Sequence, residues 1–287
     1  MAEKAILYDA TRCTACRGCQ SACKQWNEND EAIPAVTGGV RATNTGTYEN
    51  PPDLSPATWL KIKFTEVVTD GKVDWLFARR GCMHCTDAAC VKVCPTGALY
   101  HDATNGMVRL NPDICSGCGY CVEFCPFDVP RLEGNTFLGK TKAAKCVMCT
   151  QAELNRIDAG LEPACVKTCP TDALTFGDRD TLLARAKEAV AALVAKGFPN
   201  ATLFGDKELG GLHVLYVLKD KPEKYGLPAD PKFPATATAW QDVIQPLGWA
   251  VGGLTLLGLA LNFVIAREAK MTRELPGKKE GTKNGSK

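Results

Sequence analysis

Leu60, Ile62 and Phe64 alternate with Lys61, Lys63 and Thr65, and this period of two predicts a half-buried strand. Asp70-Gly71 offers a turn into a second strand over residues 73–78, so the stretch reads as a hairpin. A short apolar run at residues 5–8 predicts an earlier strand. Residues 98–101 and 107–110 flank Asn105-Gly106, the strongest short hairpin signal in the chain. Later the period lengthens. Leu182, Leu183, Ala186, Val190, Leu193 and Val194 share one face, predicting a helix over residues 181–196 with Asp180 as its N-cap and Gly197 at its end. That stripe is a packing face rather than a site. Two stretches carry neither period. Residues 27–58 are rich in Gly, Pro, Asn and Thr, and an irregular arm of that length lies across another surface, serves a function or stays disordered. Residues 198–245 read as an irregular connector with one apolar run at 212–218.

Residues 246–266 form a separate class. None of these 21 residues is charged, and at ~1.5 Å per residue they extend about 31 Å, against a bilayer core of roughly 30 Å. Leu247, Val251, Leu254, Leu256, Leu257, Leu259, Leu261, Phe263, Val264 and Ile265 dominate, each favouring insertion by roughly 0.3–0.6 kcal/mol. The plainer reading is a buried helix of a globular domain. Charged flanks, Trp240 and Trp249 near one end and a polar tail favour a membrane span instead. Gly248 and Gly252 stand in GxxxG spacing, with Gly258 further along, a weak signal for close helix contact. Arg267, Lys270, Arg273, Lys278, Lys279 and Lys283 follow the span, whereas only Lys232 is basic in the matching stretch before it. The positive-inside bias therefore predicts a cytoplasmic C-terminus, with the rest of the chain on the far side. The first residues have no signal-peptide core, and Arg79-Arg80 is a twin arginine only by accident of sequence. Export on a partner's signal is the expectation that reconciles the two.

Composition adds bounds. The chain has 287 residues, room for one large or two small domains, and its net charge of +2 gives no reason to expect nucleic acid. A mean hydropathy of −0.12 is that of a soluble protein and hides the span.

Sixteen cysteines change the picture most. They fall into four groups: Cys13, Cys16, Cys19 and Cys23; Cys82, Cys85, Cys90 and Cys94; Cys115, Cys118, Cys121 and Cys125; Cys146, Cys149, Cys165 and Cys169. The third, closed by Cys125-Pro126, is the bacterial ferredoxin run C-x2-C-x2-C-x3-C-P, in which three thiolates hold one [4Fe–4S] cube and the fourth reaches another. Four thiolates per cube give four cubes, with no cysteine left over. Disulfides are the usual fate of an even count in a short secreted chain, but this chain is long and bridges within C-x2-C-x2-C would close strained loops. Structural zinc prefers paired C-x2-C hooks; the fourth group alone would pass for a zinc ribbon, the first and third would not. A catalytic thiol has no cysteine left to supply it. The second and third groups, joined by the predicted hairpin, suggest a two-cluster ferredoxin pair, leaving the first and fourth to close around it as a nested duplication. Metal then supplies much of the folding free energy.

Of the three histidines, His84 is either polar filler or a tuner of the neighbouring cube, and it is not taken as a ligand. His101 is expected to be solvated. His213 is the one most open to a role, near a quinone or haem partner.

The runs Cys13-Thr-Ala-Cys-Arg-Gly-Cys-Gln-Ser-Ala-Cys23, Gly81-Cys-Met-His-Cys85, Cys125-Pro-Phe-Asp-Val-Pro-Arg131 and Glu162-Pro-Ala-Cys-Val-Lys-Thr-Cys-Pro170 resemble those of the four-cluster iron–sulfur subunits of molybdopterin oxidoreductases. Pro51-Pro-Asp-Leu-Ser-Pro-Ala-Thr-Trp59, Gly211-Leu-His-Val-Leu-Tyr-Val-Leu218 and the single C-terminal anchor bring the resemblance closest to the beta subunits of membrane-bound respiratory formate dehydrogenases. The resemblance implies crossed ligation. Cys13, Cys16 and Cys19 would share a cube with Cys169, and Cys146, Cys149 and Cys165 with Cys23. Cys82, Cys85 and Cys90 would take Cys125, and Cys115, Cys118 and Cys121 would take Cys94. The loop over residues 150–164 is a few residues longer than in that family, which leaves its contacts open, and Lys24 rather than proline follows Cys23.

The expected fold is α+β, with two ferredoxin-like two-cluster modules nested in one domain, then a C-terminal transmembrane helix. The divisions are residues 1–178 for the four-cluster domain, 179–245 for a helix and connector, 246–266 for the span and 267–287 for a basic cytoplasmic tail. No triad, phosphate loop or acid–base pair is present in the sequence, so the chain is expected to have no catalytic site of its own. The resemblance implies an electron-transfer subunit in a cell membrane, its clusters on the outer side. It would link a large molybdenum- or tungsten-pterin subunit that oxidises formate to a membrane cytochrome b subunit and quinone. The alternatives are the equivalent subunit of a nickel–iron hydrogenase or of another molybdopterin oxidoreductase, and a free-standing membrane-tethered ferredoxin.

Overall fold

Ala5, Ile6, Leu7 and Tyr8 are apolar without alternation, the pattern of a strand covered on both faces. They form the middle of strand β1 (Lys4–Asp9), and each is 3% exposed or less. The computed structural model describes residues 3–28, 46–69, 71–134, 141–151, 155–233 and 235–274. It separates into two compact units, Met1–Ala237 and Thr238–Lys287.

After β1 come helix α1 (Gly18–Trp26), strands β2 (Leu60–Thr69) and β3 (Lys72–Gly81), and helix α2 (Ala89–Lys92). Strands β4 (Leu99–His101) and β5 (Val108–Leu110), helix α3 (Tyr120–Glu123), strands β6 (Arg131–Glu133) and β7 (Lys142–Ala144) and helix α4 (Ala164–Lys167) follow. Strand β8 (Leu174–Asp178), helix α5 (Arg179–Ala195) and strands β9 (Thr202–Phe204) and β10 (Val214–Leu218) complete the sheet.

The central sheet runs β8-β1-β10-β9. β10 is parallel to β1, with Ile6 opposite Val214, and β8 is antiparallel to it, with Ile6 opposite Phe176. Period-two geometry divides the residues between two faces. Ala5, Leu7, Leu215 and Val217 meet Leu182 and Ala186 of α5. Ile6, Tyr8, Val214, Tyr216 and Leu218 face the β2–β3 hairpin. Tyr8 donates its hydroxyl to the Phe77 carbonyl at 2.9 Å and Tyr216 to the Arg79 carbonyl at 2.8 Å, fixing the hairpin to the sheet.

Both expected hairpins are present. β2 and β3 pair from Leu60↔Gly81 to Thr69↔Lys72; Asp70 lies outside the described residues. Between β4 and β5 the loop is longer than the two residues that Asn105-Gly106 suggests. Asp102 organises it, its carboxylate accepting from Thr104 N at 2.8 Å and Asn105 Nδ2 at 2.9 Å. Within the described part of the arm, residues 46–58, Glu49 pairs with the buried Lys61 and accepts from Phe64 N at 2.9 Å, while Tyr48 meets Trp75 edge-on at 4.9 Å. This part therefore lies over the β2–β3 hairpin; residues 29–45 are outside the described set.

Three expectations need correction. The stretch 198–245 is not irregular throughout: β9 and β10 complete the sheet, and residues 209–213 run along the second cysteine group through Thr86 N to Gly211 O at 2.9 Å and Asp87 N to Leu209 O at 2.8 Å. The helix begins at Arg179, with Asp178 rather than Asp180 at its N-cap, because Arg179 N still bonds Glu3 O at 2.8 Å as β8 ends. Asp180 falls inside the first turn, where an acid still complements the helix dipole. Val194, expected on the packed face, is exposed.

In the second unit, helix α7 (Gln245–Glu274) follows α6 (Ala235–Ala239), which contains the boundary, and a wider turn at Trp240–Ile244. The stretch Asp242–Lys270, with mean hydropathy 1.9, is long and apolar enough to cross a membrane, which fits a single-pass anchor. Leu254, Leu256 and Phe263 are each more than 60% exposed. An apolar helix surface of that extent needs a non-aqueous neighbour.

Candidate metal centres

The C-x2-C hooks curl because residues within them adopt left-handed backbone. Ala15 (φ 53°) and Arg17 (φ 62°) do so in the first group, His84 (φ 48°) in the second, Gly117 (φ 69°) and Gly119 (φ 84°) in the third, and Met148 (φ 57°) and Cys149 (φ 58°) in the fourth. For residues other than glycine this costs roughly 1–2 kcal/mol each, strain of the kind that clusters at functional sites. The curl aims backbone donors at sulfur: Ala15 N lies 3.4 Å from Cys13 Sγ and Ala143 N of β7 lies 3.4 Å from Cys115 Sγ. Helices α1 to α4 carry Cys19 and Cys23, Cys90, Cys121 and Cys165 in turn. α1 packs on α4 and α2 on α3.

Two small cavities bring together cysteines from separate parts of the chain. One is lined by Cys94 with Cys115, Cys118 and Cys121, against Leu99, Leu110 and Leu132. The other is lined by Cys23 with Cys146, Cys149 and Cys165. The remaining eight group by their mutual electrostatics. Burial raises the Cys85 thiol pKa, and Cys82, Cys125 and Cys90 raise it further. Burial also raises Cys13, with Cys169 and Cys16 adding to the effect.

Thiols of different groups also act on one another. Cys19 is pushed up to about 12 by burial and then by Cys165. Cys146 is raised by burial, Cys82 contributing, and Cys90 by burial, Cys121 contributing. Burial likewise holds Cys165 at about 11 and Cys149 at about 12. Thiols so raised keep their protons until a cation replaces them, so metal uptake is coupled to proton release.

All sixteen cysteines are free, with Cys16 and Cys118 exposed and the rest half-buried or buried. Among the described residues no three His, Cys, Asp or Glu side chains close round a single ion. Thiolates at the corners of an iron–sulfur cube stand wider apart than those round one zinc. Pure sulfur donor sets, apolar walls and N–H groups directed at sulfur fit [4Fe–4S] clusters.

His84 is fully buried, and among the described residues no atom meets hydrogen-bond geometry with its ring nitrogens; burial, then Lys145, His213 and Arg79, lower its pKa, against the Val108 backbone, which raises it. His101 is exposed, as expected. His213 is 1% exposed and donates from Nδ1 to Lys4 O at 2.7 Å, so it ties the start of β10 to β1 inside the unit. The loop over residues 150–164 places the Arg156 guanidinium 4.5 Å over the Trp26 ring and Asp158 3.1 Å from Arg109; residues 152–154 lie outside the described set.

Besides Lys61, two buried cations escaped the sequence reading. Lys145 donates to Val108 O at 2.7 Å and Cys146 O at 2.9 Å. Arg79 is 1% exposed and lines the cavity of Cys23, Cys146, Cys149 and Cys165. Period two along β3 puts Arg79 on the face of Trp75 and Phe77, and that register was the available signal.

Residues 73–179 match the family described as a 4Fe-4S dicluster domain. Over 267 residues the chain is 39% identical to the nitrate-inducible formate dehydrogenase iron–sulfur subunit of Escherichia coli (strain K12), covering 92% of this chain and 85% of that one. It is 41% identical over 253 residues to the formate dehydrogenase-O iron–sulfur subunit of the same organism, covering 87% and 79%. The hydrogenase-2 operon protein HybA of Escherichia coli O157:H7 is 29% identical over 293 residues, covering 88% and 83%. With its cysteine segments gathered in this way and these identities running along most of its length, the chain belongs to the iron–sulfur subunits of formate dehydrogenases.

Proposed function

We propose that this chain is a non-catalytic relay that carries electrons from formate oxidation through four [4Fe–4S] clusters to the membrane. Cys13, Cys16, Cys19 and Cys169 form one ligand set, and Cys23, Cys146, Cys149 and Cys165 the next. Cys82, Cys85, Cys90 and Cys125 form a third, and Cys94, Cys115, Cys118 and Cys121 a fourth. The observation that carries this reading is the pair of cavities in which a cysteine from one group joins three from another. The packing of α1 on α4 and of α2 on α3 supports two nested modules within residues 1–178. The neighbours Cys19–Cys165, Cys146–Cys82 and Cys90–Cys121 support a single file of sites in the order given.

Bound there, the clusters supply one-electron carriers. The chain fixes their spacing, excludes water with the leucines of the cavity walls and directs N–H groups at sulfur. The names of its relatives support a formate-oxidising molybdenum- or tungsten-pterin subunit as donor. The helix at 246–266, together with the basic residues after it, supports a single-pass anchor, a cytoplasmic tail at 267–287 and a membrane cytochrome b acceptor delivering to quinone.

Elemental analysis of the anaerobic complex tests the cluster count: about sixteen irons per chain are expected, and four or fewer with two or more zincs would sink the relay. Delivery is tested by ending the chain after Gln245. The shortened chain keeps every cysteine, so formate should still reduce an artificial dye while quinone reduction falls. Equal retention of both activities would show that the helix is dispensable. The likeness to HybA favours a second reading, the corresponding subunit of a hydrogenase. The large subunit that co-purifies decides between them.

A further inference from the structure

The last turn of β3 carries two arginines with opposite surroundings. Arg80 is partly exposed and paired, with Asp53 at 2.8 Å and Asp128 at 2.8 Å. Arg79 is 1% exposed. Its Nη1 donates to the Cys82 carbonyl at 3.3 Å, and among the described residues no atom meets hydrogen-bond geometry with Nε or Nη2. Among the described residues no carboxylate pairs with it. Tyr216 holds its carbonyl at 2.8 Å, so the strand end is tied inward. Gly81 leaves it room: a Cβ there would stand 3.3 Å from Nη1, 3.4 Å from Nη2 and 3.0 Å from the Trp59 carbonyl.

A guanidinium removed from water with no anion is strongly disfavoured, so a folded protein that keeps one supplies a counter-charge. Lys145, the neighbouring buried cation, has two carbonyl acceptors. Arg79 has one carbonyl, the hydroxyl of Tyr216 and, beyond these, thiols. Its charge acts to lower the pKa of Cys19, Cys23, Cys146 and Cys165, which lie in the first two ligand sets. At the far set the groups acting most on Cys121, after burial, are Cys118, Cys115 and Cys94.

Resting on the relay reading, we propose that Arg79 is the internal counter-ion of the cluster at Cys23, Cys146, Cys149 and Cys165, whose cavity it lines, and that its fixed charge raises that cluster's reduction potential. One-electron reduction adds a negative charge, and a cation in a low-dielectric interior stabilises it. Arginine supplies this charge without being able to lose its proton. It acts as a positioning charge and is not itself a carrier.

The test is anaerobic potentiometric titration of the whole complex, followed by electron paramagnetic resonance, with iron counted in the same samples. In Arg79→Met with its full iron, one of the four midpoints should fall most. At fixed poise the reduced-to-oxidised ratio of that cluster drops about tenfold, a shift of about 59 mV for one electron. The others should move less, and Arg79→Lys should restore it. Full iron with four unmoved midpoints, or an equal shift of all four, overturns the proposal, as does Arg79→Lys with a midpoint as low as that of Arg79→Met. If Arg79→Met and Arg79→Gln both lose iron, Arg79→Lys decides. Full iron and native midpoints in that variant support a charge requirement, while iron loss there too assigns the side chain to shape alone and overturns it. Fewer than sixteen irons in the unaltered protein would instead fail the relay reading.

Discussion

The second and third cysteine groups come together locally, whereas the first and fourth come from opposite ends of the same unit, yet both pairs reach similar local geometry. α2 and α4 share the sequence Ala-Cys-Val-Lys, and each runs into Cys-Pro-Thr. Cys94 Sγ lies 3.7 Å from Thr96 Oγ1 and Cys169 Sγ 3.8 Å from Thr171 Oγ1. The strands that follow, β4 and β8, pair antiparallel with β5 and β1, the strands that lead into the third and first groups. What differs is the support. The local pair rests on a two-stranded ribbon, and the distant pair on four strands beneath α5. Bringing distant segments together costs closure entropy before their contacts form. Burial of Leu182, worth about 1.5–3 kcal/mol, and of the fully covered β10 helps offset that cost.

The largest effect that separates the pairs is loss of a ligand. Cys165→Ala removes a buried thiol where α4 packs on α1, and it should abolish assembly, with iron falling well below sixteen per chain. Cys118→Ala removes an exposed one, so the damage should centre on its own cluster and the neighbour that shares its loops. Retention of four intact signals in Cys118→Ala would show that the thiol is no ligand. Equal collapse of both variants would erase the distinction between the pairs.

The hooks sharpen it further. Gly117 has φ 69°, and a side chain there would collide with the Thr141 carbonyl at the start of β7. Gly117→Ala should therefore displace the strand whose Ala143 N–H faces Cys115 Sγ, lowering iron content and moving that cluster's signal. The matching position in the first group is Ala15 at φ 53°, where Ala15→Gly relieves strain of roughly 1–2 kcal/mol. Greater cluster retention in denaturant is the expected readout for Ala15→Gly; a loss would mean that its methyl packs more than it strains.

The hairpins, the cysteine groups and the apolar helix were legible because each has a local signature: period two, fixed spacing, or an unbroken apolar run. β10 was not. Its run at 212–218 is short and lacks alternation, since it is covered on both faces, and a parallel partner as distant as β1 leaves no turn to announce it. The tie that His213 makes was hidden for the same reason, its acceptor being the Lys4 carbonyl far away in the sequence. The repeated Ala-Cys-Val-Lys was readable, and it marks the second and fourth groups as equivalents.

A smaller effect belongs to the local ribbon. Asp102 is 9% exposed and accepts from Thr104 N, Thr104 Oγ1 and Asn105 Nδ2, with Arg109 beside it. Burial acts to raise its pKa, but these bonds and Arg109 outweigh it and hold the carboxyl below the usual range. A depressed carboxyl stabilises the fold fully above its unfolded value of about 3.9, and this contribution fades as pH falls through the lower folded value. Asp102→Ala should cost about 1–3 kcal/mol at neutral pH and flatten the acid limb of the stability curve below about pH 4. An unchanged acid limb would assign the loop's order to its backbone bonds alone.

The smallest effect lies at the edge of the distant pair's sheet. Lys4 and Asp178 face each other across β1 and β8 at 2.6 Å, with side chains 39% and 48% exposed. An exposed pair of this kind contributes about 0–1 kcal/mol, because water and salt screen it and two side chains must be held still. The edge has other ties, including Arg179 N to Glu3 O at 2.8 Å and Asp9 N to Ala173 O at 2.8 Å. Asp178→Asn should therefore shift the guanidinium midpoint for anaerobic cluster loss by less than about 1 kcal/mol, and added salt should shrink even that difference. Iron content should stay near sixteen per chain. A loss of iron in this variant would mean that β8 is held to β1 by charge rather than by its ladder, and the distant pair would then be the more fragile of the two despite its larger sheet.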